Sequence, residues 1–202
     1  MCFRCSLWLL SIFVASASMA QQTQQAQQAP RAPRDTTTVN VSGKTVSIGY
    51  GRPSLAGRTI DELIKKLPPD RMWRIGANNI TTLTTETDLV IGGTQVPAGK
   101  YSLYVHAPES GDWHLAVNKD PGIPVIKLNP KVPPERAQEL WPRLDGYDKN
   151  IKDTEVARVV MKQSTVATTT DPFTLVLTSS KGGALLTMSW GDRSWTAELN
   201  AK

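Results

Sequence analysis

Thiol chemistry is nearly absent from this sequence. Its two cysteines, Cys2 and Cys5, both stand ahead of the first apolar stretch, whereas a lipoprotein cysteine follows one. With that stretch read as a leader, the mature chain has no thiol, and disulfides, thiolate metal sites and cysteine nucleophiles are excluded together. Histidine is as scarce. His106 and His114 are the only two, so a metal site built on them needs a carboxylate as third ligand. Aromatic residues make up 6% of the chain, which does not suggest an extended platform for stacking sugars. Gly-x-Gly-x-x-Gly, Walker and His-Glu-x-x-His motifs are missing, and with them any support for nucleotide cofactors or zinc-protease chemistry; no cofactor is expected. Ser54 is no nucleophile elbow, because Ala56 stands where that motif requires glycine. Charge is not of one sign either: 23 basic residues face 18 acidic ones, a formal +5. The basic residues are scattered, which leaves no nucleic-acid footprint, only a weak attraction to anionic ligands or cell-surface polymers.

What is present begins with a leader. Arg4, the apolar run Leu7 to Ala15 and the small-residue pattern Ser18-Met19-Ala20 read as a secretory signal peptide over residues 1–20, with the mature chain starting near Gln21. The run is shorter than the roughly 20 residues that span a bilayer, and no later run is long enough. The expected location is therefore the periplasm or the cell exterior, with no transmembrane segment after cleavage. Residues 21–36, rich in Gln, Ala and Pro with little to bury, read as a disordered linker. Residues 37–202 have the length and the 40% hydrophobic content of one domain with a sizeable core.

Alternation fixes the fold class. Val39 and Val41, then Val46, Ile48 and Tyr50, mark an opening hairpin around Ser42-Gly43. Thr59-Ile60-Asp61-Glu62 is a capping box, and Ile60, Leu63, Ile64 and Leu67 follow at helical spacing until Pro68-Pro69 stops them. Asp88 to Val96 is a second hairpin about Gly92-Gly93. Tyr101, Leu103 and Val105 alternate on one strand and Trp113, Leu115 and Val117 on the next. If these share a face, Val105 lies opposite Leu115, Leu103 opposite Val117 and His106 opposite His114. Residues 120–150 hold six prolines and little periodicity, an irregular surface excursion. Glu155 to Lys162 is strand-like; Phe173, Leu175 and Leu177, then Leu186, Met188 and Trp190, then Trp195, Ala197 and Leu199 describe a closing meander with turns at Lys181-Gly182-Gly183 and Gly191-Asp192. About ten antiparallel strands with one or two short helices predict a mainly β, sandwich or jelly-roll-like fold.

The block from Tyr50 to Lys119 carries the functional signal. Gly51-Arg52-Pro53-Ser54 with Gly57-Arg58, Trp73-Arg74-Ile75-Gly76-Ala77-Asn78 followed by Thr81-Thr82, Pro97-Ala98-Gly99-Lys100-Tyr101-Ser102-Leu103, Trp113 and Asn118-Lys119 resemble the bacterial family called domain of unknown function 2911. The resemblance implies an exported β-rich protein with no established activity, and it carries over no catalytic residue. The sequence departs from the family pattern mainly at Asp120 to Asn150, which is longer and richer in proline.

Arg52, Trp73, Arg74 and Asn78 are the candidate ligand-binding residues. A guanidinium offers a planar fork of donors to a carboxylate or phosphate, the Asn amide donates and accepts, and Trp73 supplies a stacking wall. The expected ligand is a small anionic or polyhydroxylated molecule, including glycans, bound by a binding or accessory module. A structural reading competes with it, in which the arginines cap carbonyls or pair with Asp61 or Glu62 and Trp73 fills the core. The alternatives are a metal-assisted hydrolase in which His106 and His114, with Glu109 or Asp112, hold a divalent ion across their hairpin, and a purely structural envelope protein. Asp61 and Glu62, adjacent in a capping turn, do not make a glycosidase carboxylate pair.

Overall fold

Half-buried alternation yields two packed antiparallel sheets. The computed structural model describes residues 31–143 and 146–202; the leader, and the linker as far as residue 30, lie outside the described residues. The first sheet has the order β1 (Arg34–Val41), β2 (Lys44–Gly51), β4 (Thr82–Thr85), β7 (Gly99–His106), β8 (His114–Asn118) and β11 (Glu155–Val160), with β3 (Met72–Trp73) added beside β7. The second has β12 (Lys162–Ser180), β13 (Gly183–Ala201), β5 (Leu89–Ile91) and β6 (Thr94–Val96). Between them lies one core, in which Val46, Ile48, Leu83, Leu103, Val105 and Leu115 of the first sheet meet Phe173, Leu175, Leu186, Met188, Trp195 and Leu199 of the second. The fold is thus mainly antiparallel β, as the alternation predicts. No described helix is long and apolar enough to cross a membrane.

The register of the central hairpin is the expected one: Val105 pairs with Leu115, Leu103 with Val117 and His106 with His114. Gly92 and Gly93 take φ of 57° and 79° between β5 and β6, the positive values a primed turn needs. Helix α1 (Ile60–Ile64) opens with the predicted capping box, in which the Thr59 hydroxyl accepts from the Glu62 amide at 3.2 Å and the Glu62 carboxylate accepts from the Thr59 amide at 2.7 Å.

Three expectations need correction. The folded unit starts before residue 37: β1 begins at Arg34, and Arg31 forms a two-pronged pair with Glu139 at 3.0 Å. Its composition looks like linker because β1 is largely exposed and gains its order from backbone pairing with β2. Second, there is no turn at Gly191-Asp192. β13 runs unbroken from Gly183 to Ala201, and its pairing with β12 shifts register near Gly191. Buried positions fall on even numbers through Trp190 and on odd numbers from Trp195, the phase change of a bulge. Gly191 has φ 58°, and a Cβ there would press on Ile60 at 3.2 Å, so the bulge is also where α1 rests on the sheet.

The third concerns residues 120–151, which do not merely skirt the surface. They comprise β9 (Ile123–Pro124), α2 (Val125–Leu128), a 3-10 turn at Pro134–Arg136, β10 (Leu140–Trp141) and α3 (Tyr147–Asn150). Together they cover the outer face of β7 and β8, where Met72, Ile80, Tyr104, Ala116, Tyr147 and Ile151 form a second, smaller core. Asn118 fastens this cover. Fully buried, its amide donates to the Tyr147 hydroxyl (2.9 Å) and the Ile151 carbonyl (2.7 Å), and its oxygen accepts from the Asp120 amide and the Thr154 hydroxyl (both 2.7 Å). The Tyr147 hydroxyl donates onward to Glu155 at 2.7 Å, and Glu155 takes two bonds from Arg158.

Candidate ligand-binding site

Backbone contact joins the two loops that carry the candidate residues. A Cβ on Gly51 would overlap the Ala77 carbonyl, and one on Gly76 would lie 2.8 Å from the Gly51 oxygen. Gly76 also has φ 125°, and the Thr81 hydroxyl donates to the Ile75 carbonyl behind it. Only glycine permits such an approach. The glycines of both motifs therefore weld the Arg52 loop to the Trp73–Asn78 loop.

From that weld the side chains diverge. Arg52 turns to β12: its Nε donates to the Phe173 carbonyl and its Nη2 to the Thr174 hydroxyl, both at 3.2 Å, and Nη1 lies 3.5 Å from Asp35. Those partners make it a clamp between the sheets. In the same loop Ser54 donates to Asp171 at 2.8 Å, which occupies the hydroxyl. Asn78, at φ 61°, donates to the Ala32 carbonyl at 3.5 Å and lines a cavity of about 290 Å³ with Arg31, Arg34 and Glu139. The four predicted residues thus do not share one cavity.

Arg74 and Trp73 do. Both line a cavity of about 310 Å³ between the end of α1 and the cover, together with Lys66, Asp70, Tyr104, Arg143 and Tyr147. Arg74 is half-buried, and desolvation draws its guanidinium below the ordinary value, though an arginine stays charged. Among the described residues it has no hydrogen-bond or ion-pair partner, and Lys66 has no ion-pair partner either. Arg143 is held by Asp120 at 3.1 Å. Asp70, the cavity's acid, accepts the Tyr147 amide at 2.6 Å and the Met72 amide at 3.1 Å, so its charge is already turned toward backbone donors. The Tyr104 hydroxyl is buried near Ser102 and the Arg143 backbone, yet in hydrogen-bond geometry with neither. Burial pushes its ionisation far up, leaving a neutral donor.

On its other side Trp73 lines a slot of about 140 Å³ with Trp113, Trp190, Trp195 and the apolar stripe of α1. Trp73 stacks on Trp190 (5.5 Å between centroids, 8° between planes) and Trp113 on Trp195 (4.3 Å, 13°). Trp190 is 7% exposed, and its indole N–H has no partner among the described residues.

A family model described as "Protein of unknown function (DUF2911)" matches residues 32–199. The chain belongs to this DUF2911 family. Neither curated proteins nor solved structures give a match to it. In this DUF2911 chain the motif residues divide by role: Gly51, Gly76, Thr81 and Asn118 build the scaffold, Arg52 clamps it, and Trp73 and Arg74 face cavities. Lys66, Tyr104, Arg143, Trp190 and Trp195 escaped the sequence reading as site residues. The accumulation of tryptophan in a chain with few aromatics is the signal that could have found two of them.

His106 and His114 face each other across β7 and β8 with ring centroids 6.1 Å apart. Burial, then Arg158 and His114, hold the His106 pKa below its ordinary value, with Arg71 adding to this and Asp148 opposing it. Glu109 and Asp112 are exposed in the loop beyond, and among the described residues no third His, Cys, Asp or Glu joins the pair as a metal-binding cluster.

Proposed function

We propose that this DUF2911 chain is an exported binding module for a small anionic ligand, held at Arg74 with Trp73 as its wall. One observation carries the reading: a desolvated guanidinium without an acidic partner among the described residues lines a cavity that also presents Lys66. Burying a cation is costly unless something of opposite charge answers it, and a ligand carboxylate or phosphate answers with two parallel hydrogen bonds. Arg52, satisfied by Phe173, Thr174 and Asp35, belongs to the scaffold, and Asn78 to the neighbouring cavity. Export rests on the leader pattern; full-length protein made in a bacterium with a general secretion pathway should be recovered outside the cytoplasm with Gln21 as its first residue. Sequencing of the recovered protein's N-terminus checks this.

The binding test is a thermal-shift and calorimetric screen of residues 21–202 with acetate, inorganic phosphate, glucuronate and glucose. The anions raise the melting temperature of wild type, glucose does not, and Arg74→Ala removes the shift. Equal shifts in wild type and Arg74→Ala overturn the assignment. No shift with any probe favours the purely structural reading.

A further inference from the structure

The tryptophan slot and the Arg74 cavity have two wall residues in common, Leu67 and Trp73. The two spaces adjoin there, with opposite chemistry on either side. Toward Arg74 and Lys66 the lining is cationic; toward Trp113, Trp190 and Trp195 it is apolar and flat. We propose that they form one bipartite site for an aromatic monocarboxylate, its carboxylate at Arg74 and its single ring in the slot. This rests on the anion-binding reading above and names its ligand class.

Size and shape select the ring. An enclosed apolar cavity of about 150 Å³ takes up benzene, and the slot measures about 140 Å³, a match in size to one six-membered ring. Its walls include two stacked indole pairs, with nearly parallel rings within each pair, which present faces and edges to a planar guest. Trp190, more than nine-tenths buried, contributes its ring to the slot wall, while its unpartnered indole N–H lies buried behind that ring. The head group needs the opposite environment, and Arg74 is adjacent in sequence to the shared wall Trp73. A bare anion uses only half of this arrangement. Each methylene or ring carbon buried adds roughly fourfold in affinity, so the apolar half dominates the selection among carboxylates.

The experiment is a titration ladder on residues 21–202, read by calorimetry and by tryptophan fluorescence: acetate, phenylacetate, 3-phenylpropionate, and the neutral 2-phenylethanol. The expected result is that an aryl carboxylate binds at least tenfold more tightly than both acetate and 2-phenylethanol, and perturbs tryptophan emission where acetate does not. Arg74→Ala reduces it to the level of the alcohol. Leu63→Phe, which fills the slot, brings it down to the level of acetate without changing acetate binding. If Leu63→Phe does not fold, the wild-type ladder still decides. Acetate and aryl carboxylate binding equally, both lost in Arg74→Ala, overturns the bipartite site and leaves the anion pocket standing. The alcohol binding as well as the acid overturns it in favour of an isolated apolar slot. Binding of no anion, phosphate included, sinks this proposal and the anion-binding reading together.

Discussion

Asn118 shows how much one side chain can hold. Its amide makes four hydrogen bonds that tie β8 to residues 120, 147, 151 and 154, all from a fully buried position. Asn118→Ala leaves several buried partners unsatisfied and should cost roughly 3 kcal/mol or more of folding stability. Urea denaturation measures it, and a change under about 1 kcal/mol would show that the network repairs itself. In the sequence Asn118 stood out as a motif residue, but the job it does was not legible there, because its partners Tyr147 and Ile151 lie 29 and 33 positions away. Arg52 illustrates the same gap more severely: it is satisfied by residues 121 and 122 positions away. Local sequence announces a guanidinium; only long-range packing decides whether it is spent on the scaffold or left for a ligand.

Among the elements, α1 is both the most legible and the most consequential for the site. Five residues are too few to hold a helix by propensity, so its order depends on the capping box and on the apolar stripe laid over the sheet. Thr59→Ala should cost about 1 kcal/mol, and because Leu63 and Ile64 wall the slot, it should also accelerate hydrogen exchange of the amides of residues 60–67 more than those of β7. Uniform acceleration across both would mean that α1 opens only with the whole fold. The β7 and β8 pairing was readable to the single residue, because a one-step slip would turn every apolar side chain outward. The cover over their outer face was not: residues 120–151 have no repeating pattern to read, and they are tied down by Asn118, by Tyr104 and Tyr147, by Asp70, by the ion pairs Arg31–Glu139 and Arg143–Asp120 and by a few backbone bonds. Buried Ser102, Tyr104 and Ala116 looked like the ordinary small or polar outer positions of a two-layer sandwich.

At the scale of the whole molecule, the joint between sheet and cover is pH-sensitive. Glu155 is partly desolvated, which raises its pKa, but the hydrogen bonds from Arg158 and Tyr147 win, and the carboxyl sits below its ordinary value. A carboxyl depressed in the folded state contributes stability fully above its unfolded pKa, near 4.3, and loses it as pH falls through the lower folded value. Stability at the cover should therefore decline below about pH 4.3, and Glu155→Gln should be less stable at pH 7 and show a shallower acid limb. Chemical denaturation at pH 7, 5, 4 and 3 gives both numbers; parallel curves for the two proteins would remove Glu155 from the account.

The change of phase at Gly191 has an effect beyond the strand that contains it. Trp190 and Trp195 are five positions apart, and an unbroken zigzag would send their indoles to opposite sides of the ribbon; the break in register with β12 on either side of Gly191 is what lets both line the same chamber. Length, more than residue identity, therefore guards the opening. One aromatic exchanged for another would alter the fit by degrees, but one residue lost between them would rotate the far half of the ribbon and close the chamber outright.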